Sequence, residues 1–456
     1  MLRGLGSLSL SLSLLATGTA CGERDDPRPP VQAGEGEGEG EGEGEGEGEG
    51  EEAPPPPGET RRGAAAFLQT PAVEQAVLHE AGARALDVAV GVAAVDDDNW
   101  VVSPVSVLQA FSLLSAGARG TTLVELEQAL ALFPSSTQHE VMNAWLLGLR
   151  DRALPAVEAD PAAGTGGEDA VVVDIVNQLF VDTSFEPLPS FLDVASGYYD
   201  ASVQRLGFAI DPESARQAIN GWVEQRTRER IVDLLPEDSI TAETRMVVAN
   251  ALYLKAPWRE AFDVAQTADD TFFAATGPQT VPFLHGVMSG GHGTAGGATV
   301  VRLPLRGGAL SFVIALPAEG TDTGDVDLTA VWDALPALAS ERLALSLPKL
   351  AVTQPTNLKD SLKRLGVAAL FDSGQCDLSG LNDVERLFVS GAFHEAFVGL
   401  DEKGIEAAAA TAIVVEGESS IELPTLEVVV DRPFQFLIVD TALQLPLFVG
   451  AVTRID

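Results

Sequence analysis

The apolar positions along this chain pass from helical to strand spacing as it proceeds. Early on, "AAFLQTPAVEQAVLHEAGARALDVAVGVAA" repeats apolar residues at helical intervals. "NWVVSPVSVLQAFSLLSAGARGTTLVELEQALAL" starts as a short strand, and Ser103 and Pro104 then open a helix with proline at an early helical position. "AVVVDIVNQLFVD" reads as a Val-rich strand, "PSFLDVASGYYD" as a helix, and "ARQAINGWVEQRTRERIVDLLP" as a helix stopped by Pro236. "TRMVVANALYLKAPW" has few charges, which predicts a central strand. "ATVVRLPLRGGALSFVIALP" gives two strands around Arg306, Gly307 and Gly308, and "LALSLPKLAVTQPTNLKDSLKRLG" gives strand, turn, helix. The tail, "LEVVVDRPFQFLIVDTALQLPLFVGAVTRID", holds three short β-runs. Helices cluster early and strands late, with large sheets and no internal linker over residues 64–456, so the fold class is one α+β domain.

The front end has another character. Residues 1–20, "MLRGLGSLSLSLSLLATGTA", have one basic residue, a Leu/Ser apolar run and small residues, the organisation of a signal peptide. Cleavage before Cys21 resembles a bacterial lipoprotein signal, in which the cysteine receives lipid, although Gly18 stands where such signals usually have Leu. The expected location is secreted or cell-surface, lipid-anchored at a bacterial outer membrane, with plain secretion as the alternative. Residues 21–63 read as a tether: alternating Gly and Glu over 34–52, then a proline run, can bury nothing and stay solvated.

Charge and composition then exclude function classes. The net charge is −39, of which residues 1–63 account for −9 and the rest for −30. Such acidity disfavours nucleic acid and anionic membrane surfaces, leaving membrane contact only through a lipid anchor. Two cysteines and five scattered histidines exclude a disulfide framework and give no metal-ligand spacing, so no metal or cofactor is expected. "GHGTAG" (291–296) matches G-x-G-x-x-G, but a strand rather than a helix follows, and a flexible hairpin loop is expected. Cys376 lacks a basic neighbour and reads as structural rather than nucleophilic.

Six segments in order resemble the serpin family: "NWVVSPVSVLQAFSLLSAGARG", "INGWVEQRTRERIVDLLP", "VVANALYLKAPW", "LPKL", "FHEAFVGLDEKGIEAAAATA" and "DRPFQFLIVD". Ala256, Leu254 and Glu395 depart from the usual Gly, Phe and Lys. The resemblance implies a protease inhibitor, not an enzyme, with helices packed on large, mainly antiparallel sheets. It implies an exposed reactive loop that a protease cleaves, trapping itself as an acyl-enzyme while the loop inserts as a new strand. It places a sheet-opening cluster at Ser103, Ser106, Asn250 and His394, and puts Trp258 and Lys349 near the top of the sheet where the loop first enters.

The hinge of that loop is "DEKGIEAAAATAIVVEGESS": Glu402, Gly404, Ile405, Ala407, Ala408, Ala409, Ala410 and Thr411. Small residues slide between strands without overpacking, and Gly404 changes φ and ψ cheaply. Alternate residues from Ile405 are uncharged and suit a core, while the set from Glu406 is charged at its ends and suits a partly covered surface. Ile405 is bulkier than the small residue usual in inhibitory members. The family's spacing from Gly404 places the scissile bond at Glu418–Ser419, which selects a Glu-specific serine protease, with Val415 or Ile421 as bait for an elastase-like one. The expected molecule is a monomer.

Overall fold

The computed structural model describes residues 58–69, 73–93, 98–157, 169–384, 386–406 and 425–455. Among these are eight α-helices: α1 (Gln75–Ala93), α2 (Pro104–Gly117), α3 (Gly120–Ala129), α4 (Ser135–Arg150), α5 (Pro189–Tyr199), α6 (Pro212–Arg226), α7 (Leu328–Ala334) and α8 (Leu358–Arg364). α2 is buried on all sides, every residue except Ala116, so it has no polar face to show and sits within the core.

The first sheet holds β1 (Glu59–Arg61), β3 (Val172–Asp182), β4 (Val203–Leu206), β5 (Met246–Pro257), β11 (Leu350–Asn357), β12 (Gly391–Leu400) and β13 (Gly404–Ile405). Their order is β1-β4-β3-β5-β13-β12-β11. The second sheet holds β2 (Trp100–Val102), β6 (Ala268–Ala274), β7 (Gly277–Ala295), β8 (Ala298–Pro304), β9 (Leu310–Pro317), β10 (Ala339–Pro348), β14 (Leu426–Val429), β15 (Phe434–Asp440) and β16 (Leu445–Val452). Its path is β14-β10-β7-β8-β9-β15-β16-β2, with β6 on β7. β15 and β16 are buried at every residue, as central strands covered on both faces must be. Most pairings are antiparallel; β5–β12, β3–β4 and β10–β14 are parallel. One large apolar core runs through both sheets, and a second, around Trp222, Ile219 and Phe180, lies where α6 covers the first.

Several sequence expectations change. The first helix starts at Gln75, and residues 64–69 run instead beside α5, where Asp193 Oδ1 accepts the N–H groups of Ala64 and Ala65 at 2.8 and 3.1 Å. β1 lies within residues read as tether and pairs with β4 at the sheet's edge. α6 ends at Arg226, ten residues before Pro236. The chain there doubles back so that Ile231, Leu234 and Leu235 join the second core, and Asn220 clasps the backbone of Leu235 through Oδ1 at 2.8 Å and Nδ2 at 3.0 Å. Arg228, Glu229 and Asp233 take positive φ to make that path. Past "LPKL" the expected turn is a second full strand, β11. "GHGTA" is not a loop: Gly291 to Ala295 belong to β7, held by β8 on one side, and Gly291 and His292 also by β10 on the other, with the turn confined to Gly296 and Gly297.

Candidate functional site: the split at the top of the first sheet

β5 and β12 are the two parallel neighbours at the centre of the first sheet. They pair from Gly391 opposite Val247 up to Ala396 opposite Leu252, and there the ladder ends. Above it β13 is wedged between them, antiparallel to both: Ile405 pairs with Ala256 and with Leu400, and Gly404 with Pro257. Two parallel strands can each take the same third strand in antiparallel pairing, the slightly more stable arrangement per residue. The chain enters from the top and points down the split. Glu406 N–H continues the pattern onto Gly399 O at 2.9 Å, and Glu406 then leaves the strand with φ of 49°, a costly conformation for a residue with a side chain.

Gly404 is required by close approach. A Cβ there would lie 2.4 Å from Ala256 O and 2.5 Å from Pro257 Cα. Ile405 is 1% exposed, so the sheet receives its bulk on the core side, as the alternation requires. Glu406 faces the other way into partial cover. Its carboxylate pairs with Arg230, in the connection after α6, beside Tyr253. Burial raises the Glu406 carboxyl's pKa, with Arg230 and Tyr253 pulling it back. Burial, together with the Glu406 charge, pushes the Tyr253 phenol up to about 12. On the same face of β12, burial raises the Glu395 carboxyl too.

The turn before β13 is clasped from three sides. Trp258 donates its backbone N–H to Lys403 O at 2.7 Å and its Nε1–H to Asp401 O at 2.9 Å. Phe262 N–H donates to Glu402 O at 2.8 Å. Lys349 Nζ donates to both carboxylate oxygens of Glu402, at 3.0 and 2.9 Å, and Thr267 Oγ1 to one of them at 2.8 Å. Burial opposes the charge on Glu402, but Lys349 and Thr267 outweigh it and hold the carboxyl below its ordinary range. Asp401 Oδ1 closes the turn by accepting from the N–H groups of Lys403 and Gly404.

Lower down, Ser103, Ser106 and His394 are fully buried together. Ser103 donates its backbone N–H to His394 Nε2 at 3.1 Å and its hydroxyl to Ser106 Oγ at 3.0 Å. His394 stands in register opposite Asn250 on β5. The structure thus brings together Trp258, Lys349, Glu402, Gly404 and Ile405 at the top, and Ser103, Ser106 and His394 beneath, with the Asn250 backbone beside them. Ala407, Ala408, Ala409, Ala410, Thr411, Glu418, Ser419 and Cys21 lie outside the described residues. Burial pushes the Cys376 thiol up to about 12, in keeping with a structural cysteine. Sequence reasoning missed Arg230, Tyr253, Asp401, Thr267 and Phe262. Their roles depend on which segments the fold brings to one end of β5, and no local pattern carries that.

A family profile described as Serpin (serine protease inhibitor) matches residues 83–455. Serpin B3 of Homo sapiens is 31% identical over 366 residues, covering 78% of this chain and 93% of its own. Serpin-Z1C of Triticum aestivum is 34% identical over 370 residues, covering 78% and 90%. Among solved structures, the thermophilic serpin Tengpin in its native state is similar in fold, with a TM-score of 0.73 at 23% identity over 86% of this chain and 97% of that one. The chain belongs to the serpin family.

Proposed function

We propose that this serpin inhibits a serine protease as a suicide substrate. The observation that carries the reading is β13, already seated antiparallel between β5 and β12 at the top of a ladder that ends below it. Continuing that register downward puts Ala407 opposite Leu254 and Val398, and Thr411 between Asn250 and His394. Cleavage frees the segment after Glu406 to follow this path. The first added residues fill the open split, those from 409 on replace parallel pairing with two antiparallel ladders, and insertion past Thr411 parts His394 from Asn250. Relief of the Glu406 backbone adds to the gain. The protease, joined as an acyl-enzyme to the residue before the cut, is dragged along before water can release it.

The bait is Glu418–Ser419, and the target is a Glu-specific protease, with an elastase-like one as the runner-up. The chain acts as a monomer outside the cell, held to a membrane by lipid on Cys21 through the Gly/Glu tether. The competing reading is a serpin-fold binding protein whose loop is cut as a plain substrate. The seating of Ile405 inside the sheet favours the inhibitor, because the one residue that departs from the usual hinge is already accepted there.

The test is incubation of the protein with Glu-specific, elastase-like, chymotrypsin-like and trypsin-like proteases, followed by a denaturing gel and the mass of the released C-terminal peptide. A covalent band with a peptide starting at Ser419 supports mechanism and bait together. Clean cleavage by every enzyme, with no covalent band, would establish the substrate reading.

A further inference from the structure

Away from the hinge, one face of the second sheet carries a pocket of about 150 Å³ whose polar lining includes Arg259, Ser289, Arg302, Ser311, Ser340 and Thr441. The pairing explains how they converge. Gly291 on β7 stands opposite Arg302 on β8 and opposite Ser340 on β10. Pro304 stands opposite Ser311 on β9. Positions two apart share a face, so Ser289 joins Gly291, and Pro304 joins Arg302. Arg342 stands opposite Ser289 and shares its face of the sheet. A Cβ at Gly291 would sit 3.2 Å from Leu338 Cβ and 3.3 Å from Arg302 Cβ and Nε, so the glycine leaves the Arg302 side chain its room. This is the glycine-rich stretch that looks like a nucleotide motif in the sequence and is a strand in the fold.

The donors are held in place and keep donor capacity to spare. Arg302 gives Nη1–H to Leu335 O at 3.1 Å, which fixes the guanidinium, and that is its only protein partner among the described residues. Ser311 is 3% exposed, yet its hydroxyl has no protein partner among the described residues. Arg259 is half exposed at the mouth, 3.6 Å from Glu260, whose other carboxylate oxygen accepts the Ser289 N–H at 3.1 Å. No Asp or Glu is among the described lining residues, although the chain carries 67 acidic residues against 28 basic ones.

We infer that this pocket binds a tetrahedral oxyanion, a phosphate or sulfate group. Guanidinium groups match such oxygens with paired N–H donors, and charge-assisted hydrogen bonds of this kind are the strong ones. Donors on β7, β8, β9 and β10, with Arg259 at the mouth, approach from several directions, which suits four oxygens in a tetrahedron better than a flat carboxylate. The pocket, about 150 Å³, has room for an ion or one ester headgroup. The inference does not rest on the inhibitor reading, since neither the hinge nor the loop contributes to the pocket.

The test is calorimetric titration and thermal unfolding of the full chain with inorganic phosphate, sulfate and glycerol 3-phosphate, at constant ionic strength against chloride. One site per chain is expected, with a higher unfolding midpoint. Arg302→Gln should weaken binding by about tenfold or more, as loss of a charge-assisted donor pair does. Excluded salts such as sulfate raise the midpoint of any protein, so an equal rise in the variant would overturn the site. Should Arg302→Gln fail to fold, Arg259→Gln at the exposed mouth decides instead: unchanged phosphate affinity there, or no binding heat in the native chain, overturns the proposal. Binding of glycerol 3-phosphate identifies an esterified headgroup as the ligand class, and binding of the inorganic ions alone identifies a free anion.

Discussion

Lys349 grips Glu402 through both carboxylate oxygens, at 3.0 and 2.9 Å, in the turn before β13 enters the sheet. Glu402 is 7% exposed, so its charge relies on this partner and on Thr267. Replacing Lys349 with Ala strands a buried carboxylate, at a cost of about 1–3 kcal/mol. The variant should unfold at lower denaturant, and amides over residues 401–406 should exchange faster than in the parent. Unchanged exchange there would mean the ion pair does not hold the clasp. The pH direction follows: a carboxyl held below its unfolded pKa adds stability above the unfolded value, and that stability is lost as pH falls through the folded value.

Gly404→Ala tests the wedge itself. The new methyl meets backbone atoms at 2.4 and 2.5 Å, and backbone cannot rotate away as a side chain can. Either β13 leaves the split or β5 shifts, at about 1–3 kcal/mol. Limited proteolysis should show residues 404–406 cut more readily. A variant with the parent's stability and protection would show that the hinge is not seated between β5 and β12 in solution.

Thr411→Arg tests the register. If the loop inserts as proposed, the register of Ile405 opposite Ala256 and Leu400 would bring residue 411 between positions 250 and 394, beside buried Ser103 and Ser106. An unpaired cation driven into that site costs several kcal/mol. Each ~1.4 kcal/mol added to the insertion barrier slows insertion about tenfold and gives hydrolysis the advantage. The variant should still be cut at the same bond, while its covalent band on a denaturing gel falls by at least about tenfold. A covalent band of parental strength would sink the register.

How much of this was legible in the sequence depends on how local the cause is. β5 announces itself as central because it has few charges, and α2 because Pro104 fixes its start and nearly every residue is suited to burial. Gly404 and Ile405 could be placed by spacing and alternation. The end of α6 could not: helix spacing continues past Arg226, and only the distant pull of the second core on Ile231 and Leu235 bends the chain away. Nor could the β7 glycines, whose strand is imposed by β10 and β8 rather than by propensity. Glu406 reads as a charge on a partly covered surface, but Arg230, 176 positions earlier in the chain, is invisible as its partner until the connection after α6 crosses the sheet.

His139 supplies a pH test remote from the hinge. It sits on α4, 6% exposed, with Nδ1 2.7 Å from the Tyr199 hydroxyl of α5 and the two rings edge to face. Burial pushes its pKa down from 6.5 to about 4. The ring shares a hydrogen bond with the Tyr199 hydroxyl, and protonation would place a cation in a buried site between two helices. The unfolded chain therefore binds a proton first as pH falls. The stability that neutral His139 confers is complete above pH 6.5, declines between 6.5 and about 4, and is gone below. The full span corresponds to about 3 kcal/mol at 1.36 kcal/mol per pH unit. Urea unfolding at pH 7, 5.5 and 4 should show that decline in the parent. His139→Gln should start lower at pH 7, having lost ring packing, and fall less steeply over the same window. Parallel slopes for the two proteins would assign the acid sensitivity to other groups and leave His139 a packing residue alone.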